Sequence, residues 1–171
     1  MVEQGCVLAT SGDSSGAVRC LTSAMTALHS TGATVYETRF LANLASAYAD
    51  LGALDDAWRC IGKATGAVQV SKERWCEAEI DRIAGEVALK SPQPDAAKAQ
   101  DYFERSLAVA RRQQAKSWEL RAAMSLARLW REQGKGNEAR DLLAPVYDWF
   151  TEGFDTLDLK QAKRLLDELT P

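Results

Sequence analysis

The chain has 171 residues, 46% of them hydrophobic and 26% charged, with a formal net charge of −3; this is the composition of a globular domain, and it argues against a disordered chain and against nucleic acid as the main partner. No apolar run reaches the roughly 18 residues that a bilayer crossing needs. The N-terminus has no basic segment followed by an apolar stretch, so neither a membrane span nor a signal peptide is expected and a cytoplasmic location follows.

Along the chain the apolar residues fall into paired stripes at helical spacing. The first stretch sets Gly5 and Leu8 before Ala17 and Leu21, with a break at Gly12. Gly12-Asp13-Ser14-Ser15-Gly16 matches the G-x-S-x-G elbow of hydrolases. That motif needs an acid between its Ser and its His, and no Asp or Glu lies between Gly16 and His29, the sole histidine, so the segment reads as a turn between helices. His29 has no Cys or His at ligand spacing, which points to a helix end rather than a metal site.

In the next stretch Leu41, Leu44, Ala45 and Tyr48 form one stripe, Asp50-Leu51-Gly52 breaks it, and Ala57, Ile61, Ala64 and Val68 form another. Asp55 and Asp56 stand where a helix start favours acids. The third stretch aligns Ala84 and Val87 with Ala99 and Phe103 after an insertion of three residues. Ser91-Pro92-Gln93-Pro94 is its site, since prolines cannot continue a helix. The fourth has Ala123, Ala127 and Trp130, then Ala139, Leu142, Leu143, Val146 and Phe150. Between its stripes, Gly134-Lys135-Gly136 lacks the spacing and the following Ser or Thr of a phosphate loop. Pro145 falls inside the last of these helices and is expected to kink it. A closing helix over about 155–169 presents Leu159, Ala162, Leu166 and Leu169 and can be capped by Asp155 or Thr156.

These stretches are one unit repeated. Ala17, Ala57, Ala99 and Ala139 are spaced 40, 42 and 40, and Tyr36, Trp75 and Trp118 each precede the small residue Ala45, Ala84 or Ala127 by nine. Each unit is predicted to be two helices, the first ended by a glycine (Gly12, Gly52, Gly134) that can take positive φ so that the second folds back. Facing alanines such as Ala45 and Ala57, or Ala127 and Ala139, let the two backbones approach closely. The whole chain then forms a single domain, with units about 1–32, 33–72, 73–114 and 115–152 and a capping helix.

The pattern Leu44, Ala45, Tyr48, Ala57, Ile61, and again Leu126, Ala127, Trp130, Ala139, Leu143, resembles the tetratricopeptide repeat. It departs from that family in its first Trp, in Ala for the family Gly, in the missing closing Pro and in its longer period. Longer units of this kind resemble the extended repeats of bacterial regulators of the maltose-regulon activator type. The segment 142–169 is similar to the C-terminal close of large bacterial proteins that join an adenylate/guanylate-cyclase-like or DNA-binding domain to a signalling ATPase. The resemblance implies an all-α, right-handed α-solenoid of antiparallel helix pairs, a TPR-like superhelix of about four repeats. It also implies nucleotide and catalytic motifs upstream of Met1. Unit one starting near the middle of a helix fits a fragment of a longer protein, and it leaves an apolar edge (Val2, Val7, Leu8) that could self-associate.

Function is therefore expected to be binding rather than catalysis, with no cofactor and no metal: a protein or peptide interaction module, with an upstream ATPase or cyclase domain of the same polypeptide among the candidate partners. A small-molecule sensor is the alternative. In repeats of this class the first helix of each pair lines the inner wall, which puts Arg39, Asn43, Ser46 and Asp50 of unit two and Arg121, Met124, Arg128 and Arg131 of unit four there. Unit three offers Ala78, Asp81, Gly85 and Ala88, with Arg82 alongside, a wall of mostly small residues. Such arginines can grip an acidic or C-terminal carboxylate segment. Residues 98 to 140 carry ten Lys and Arg against five Asp and Glu, while the segments on either side are acidic. Three of the five tryptophans are assigned to packing by the frame; Trp58 and Trp149 are left open as exposed contacts. Cys6, Cys20, Cys60 and Cys76 form no C-x-x-C pair and read as reduced thiols.

Overall fold

The computed structural model describes residues 13–31, 36–72 and 74–170. Among the described residues there are eight helices and no strand: α1 (Ser14–Ser30), α2 (Glu37–Asp50), α3 (Leu54–Ser71), α4 (Glu77–Leu89), α5 (Ala96–Arg112), α6 (Lys116–Glu132), α7 (Gly136–Asp148) and α8 (Leu157–Glu168). None of them is long and apolar enough to cross a membrane. Val2, Gly5, Cys6, Val7, Leu8 and Gly12 lie outside the described residues.

Local chemistry sets the helix ends. The Asp13 carboxylate accepts a hydrogen bond from the Gly16 N–H at 2.8 Å and so caps α1. A β-carbon at position 16 would stand 2.2 Å from Asp13 Oδ2, so the glycine is what lets the cap close. The G-x-S-x-G segment thus holds a helix cap, and Ser14 donates to Asp50 Oδ2 at 3.3 Å. Asp95 caps α5 in the same way after the two prolines, accepting from Lys98 N–H at 2.9 Å. Gly52 and Gly134 adopt φ of +76° and +77° and end α2 and α6, as a turn into the following helix requires. Between α5 and α6 the same turn is made by Gln114, at φ 54° and without a glycine.

Each helix packs on the next, and α2, α4 and α6 also touch one another in order, while α8 lies on α6 and α7. Helices with neighbours on several sides must be apolar on several faces: in α6 every residue from Ala122 to Ala127 is buried. The anchoring alanines 17, 57, 99 and 139 are fully buried, as are Ala45, Ala84 and Ala127. Ala45 and Ala57 share one core cluster with Leu41, Leu44 and Ile61; Ala127 and Ala139 share another with Leu143 and Val146.

At α8 two local details differ from the sequence pattern. Thr156 occupies the cap position of α8, but its hydroxyl donates back to the Gly153 carbonyl at 2.7 Å instead of holding a helix N–H. Leu159, Ala162 and, just past the helix end, Leu169 are buried as expected, whereas Leu165 takes the place of Leu166, which is only partly covered. Pro145 stands inside α7, which ends at Asp148. Cys60 and Cys76 are buried free thiols, and burial pushes both up from their ordinary pKa. Cys76 also donates to the Thr38 hydroxyl at 3.0 Å.

Candidate functional site

Helices α2, α4 and α6, with the first turn of α8, enclose a cleft of about 520 Å³. From α2 come Arg39, Asn43 and Ser46; from α4 come Glu79, Arg82, Ile83 and Glu86; from α6 come Arg121, Met124, Ser125 and Arg128. Thr156, Asp158 and Gln161 close one end.

At the centre sits Arg82. Its Nε and Nη2 donate to the two carboxylate oxygens of Glu79, each at 2.8 Å, and its Nη1 pairs with Glu86 and reaches the Ser125 hydroxyl at 3.5 Å. Burial opposes the charge on Arg82, but Glu79 and Glu86 outweigh it and hold its pKa above the ordinary value. The spacing of these residues, i to i+3 and i to i+4, is what lets one helix make both pairs. Arg82 is therefore fully engaged within the protein.

Arg121 is engaged as well, with Nε 2.7 Å from Asp158 Oδ2 and Nη1 3.4 Å from Glu79 Oε1. Its guanidinium lies 5.1 Å from the centre of the Trp118 ring, and Arg39 lies 5.9 Å from that ring and 6.0 Å from the Trp75 ring. Trp75 meets Tyr36 edge to face with ring centres 5.8 Å apart. Along one rim the order is thus Tyr36, Trp75, Arg39, Trp118, Arg121, a row in which aromatic faces fix the arginine heads. Arg39 has no carboxylate partner among the described residues.

Arg128 differs from Arg82 and Arg121 in lacking a carboxylate partner, and from Arg39 in lacking an aromatic ring against its guanidinium. It makes no hydrogen bond and no contact ion pair with a described residue. Burial lowers its pKa from the ordinary value; Glu86 and Glu168 offset this only from longer range, and Arg82 and Arg131 add to it. Arg128 also lines a second cavity of about 310 Å³, together with Arg131, Gln161, Arg164 and Glu168, so the two spaces share Arg128 and Gln161.

Of the residues anticipated from sequence, Arg39, Asn43, Ser46, Arg82, Arg121 and Arg128 meet at this cleft. Asp50 and Asp81 do not. Asp50, at the exposed end of α2, pairs with Lys90. Asp81 is turned to α5, where Arg105 Nη2 lies 2.7 Å from its Oδ1. The wall expected from Ala78, Asp81, Gly85 and Ala88 faces α5 too: Ser106 donates to the Ala78 carbonyl at 2.6 Å, and Ala88 packs with Ala99 and Phe103. A single residue step turns a helix face by about 100°. The face of α4 in the cleft is accordingly Glu79, Arg82, Ile83 and Glu86, charged rather than small. The acidic residues Glu79, Glu86 and Asp158 escaped the sequence reading, although the Glu79-Arg82-Glu86 spacing is a legible pairing signal.

The two unassigned tryptophans lie elsewhere. Trp58 meets Tyr102 at a tilt, with ring centres 6.0 Å apart, and lies under Lys98, while Trp149, more than half exposed, packs edge to face on Phe150 at 5.2 Å with Lys116 near its face. His29 ends α1 and lies 3.0 Å from Glu37. Among the described residues no group of three or more His, Cys, Asp or Glu is placed to hold a metal ion. Compared with models of known protein families and with the curated proteins, the sequence matches none.

Proposed function

We propose that the chain is a TPR-like α-solenoid of antiparallel helix pairs that binds an acidic or carboxylate-ended peptide segment in the α2/α4/α6 cleft, without catalysis. One observation carries this reading: Arg128 projects a charge into the cleft that no protein carboxylate meets, while Arg82 and Arg121 are already paired. A partly buried cation with no carboxylate in contact is costly to keep in a folded chain, and an anionic ligand reduces that cost. The aromatic row holding Arg39 and Arg121 adds a preformed edge, which lowers the entropy lost on binding. The successive contacts of α2, α4 and α6 and the recurring buried alanines support the repeat architecture. In such an arrangement the partner is a protein or peptide, including an upstream ATPase or cyclase domain of the same polypeptide, and the module serves a larger signalling protein.

The test is fluorescence anisotropy with peptides ending in two or more Asp or Glu residues, each compared with its amidated, Asn/Gln-substituted counterpart. Binding in the micromolar range, weakened about tenfold by Arg39→Gln, which corresponds to about 1.4 kcal/mol, is the expected result. Equal binding of acidic and neutral peptides, or none of either, overturns the reading.

A second reading, a small-molecule sensor, draws on the size of the cleft, which lies in the range of small-ligand sites. Thermal-shift screening against carboxylate metabolites separates the two: a saturable rise in melting temperature favours the sensor.

A further inference from the structure

The second cavity, between α6 and the C-terminal helix α8, has its own charge pattern. Arg128 and Arg131 from α6 and Arg164 from α8 line it, opposed by one carboxylate, Glu168. Glu168 pairs with Arg131, and neither Arg128 nor Arg164 has a contact ion pair with a described residue. The cavity thus holds two positive charges in excess, one partly buried on α6 and one exposed on α8. Gln161, which lines both spaces, can donate from its amide toward the same volume. A carboxylate entering here would leave one cation over. A phosphoryl dianion would balance both, and its three terminal oxygens match the several N–H groups that guanidinium forks present.

We infer that Arg128, Arg131 and Arg164 form a phosphoryl-dianion subsite at the α8 end of the main cleft. It deepens the peptide-binding reading and rests on it in one respect: the phosphoryl group enters as part of a ligand that also lies in the α2/α4/α6 cleft, because Arg128 and Gln161 border both spaces. Glu168 keeps Arg131 oriented while the site is empty. On binding, the dianion takes up the charge of Arg128 and Arg164 and bridges α6 to α8. Two sources share this chemistry, a phosphorylated side chain within a peptide and a free phosphomonoester.

Heteronuclear NMR of the arginine Nε–Hε signals, with the whole chain at low ionic strength, tests the subsite. The probes are inorganic phosphate, acetate at matched ionic strength, and an acidic peptide with and without one phosphoserine. The expected result is a saturable shift of the Arg128 and Arg164 signals with phosphate. It should strengthen at least fivefold between pH 5.5 and 7.5 as the phosphate monoanion gives way to the dianion. Arg164→Gln should weaken it at least fivefold, and Arg140→Gln, on exposed α7 surface, should leave it within twofold. A phosphopeptide bound ten times more tightly than inorganic phosphate supports the side-chain source; equal affinities support a free phosphomonoester.

Acetate shifting these signals as strongly as phosphate overturns the dianion subsite, as does a phosphate response that ignores pH or Arg164→Gln. Saturable binding of the unphosphorylated acidic peptide with no phosphate response overturns the subsite and leaves the peptide reading standing. A phosphate response with no peptide binding of either form supports the subsite and overturns the peptide reading.

Discussion

The Phe103 ring occupies the place where a β-carbon on Gly85 would stand: a β-carbon built there lies 2.4 Å from Phe103 Cε1. Gly85 is a buried residue inside α4, and Phe103 is among the most deeply buried side chains of the chain. A glycine in a helix interior normally costs about 1 kcal/mol relative to alanine. Here it is the condition for α4 and α5 to lie so close. Gly85→Ala should therefore destabilise the chain by roughly 1 to 3 kcal/mol, through overpacking against a ring that has nowhere to go. Gly66, exposed within α3 and with nothing within 4 Å of its missing β-carbon, should respond in the opposite sense, gaining about 0.5 to 1 kcal/mol as alanine. Paired urea denaturation curves check both signs, and a stabilised Gly85→Ala would contradict the close packing of α4 on α5.

Asp81 gives the stability a pH dependence of unusual sign. Burial pushes its carboxyl up to about 6 from an ordinary 3.8, Arg105 only partly offsets this, and Glu77 adds to it. Between those values the folded chain keeps a proton that the unfolded chain releases. The contribution of this group to stability is fully present below about pH 4 and is lost as the pH rises through about 6. A shift of this size is on the order of 3 kcal/mol. Asp81→Asn should thus stabilise the chain at pH 7 and not at pH 4, since Arg105, itself largely exposed, can turn to water. Wild-type and variant stability profiles that stay parallel from pH 4 to 7 would refute it.

The helices were legible because their causes are local or periodic. Ala57, Ile61, Ala64 and Val68 recur at helical spacing, and all four are buried. Gly52 and Gly134 carry the positive φ that their turns demand. What escaped was rotation about a helix axis. Ala78, Gly85 and Ala88 are small because α5 presses on them, and nothing in their spacing separates that from a groove wall. The Gln114 turn escaped because its residue type carries no signal for a left-handed backbone. One end of the cleft rests on charge pairs between separate helices, Arg121 with Asp158 and with Glu79, that no single stretch of sequence contains.

The buried alanines make a sharper demand. Ala139 is fully buried and packs in one cluster with Ala123, Ala127 and Leu143. Ala139→Glu forces extra volume and an unpaired carboxylate between α6 and α7, and should cost roughly 3 to 5 kcal/mol. Asn137→Glu, two positions earlier on exposed surface, should stay within about 0.5 kcal/mol of the wild type. Calorimetric melting of the two variants decides the matter, and an unchanged melting temperature for Ala139→Glu would remove the helix-pair contact from consideration.

Two arginines in one cleft should behave in opposite ways when each is replaced by glutamine. Arg82 satisfies Glu79 and Glu86, and Glu79 is itself buried. Arg82→Gln leaves Glu79 only the longer contact with Arg121 and Glu86 only the Ser125 hydroxyl, and should lose roughly 3 kcal/mol. Arg128 satisfies no carboxylate by contact, and burial already disfavours its charge. Arg128→Gln should leave the melting temperature unchanged or raise it, while weakening acidic-ligand binding. A side chain retained against stability is one whose partner comes from outside the chain. If Arg128→Gln instead melts as early as Arg82→Gln, Arg128 serves the fold and the binding assignment of this cleft is lost.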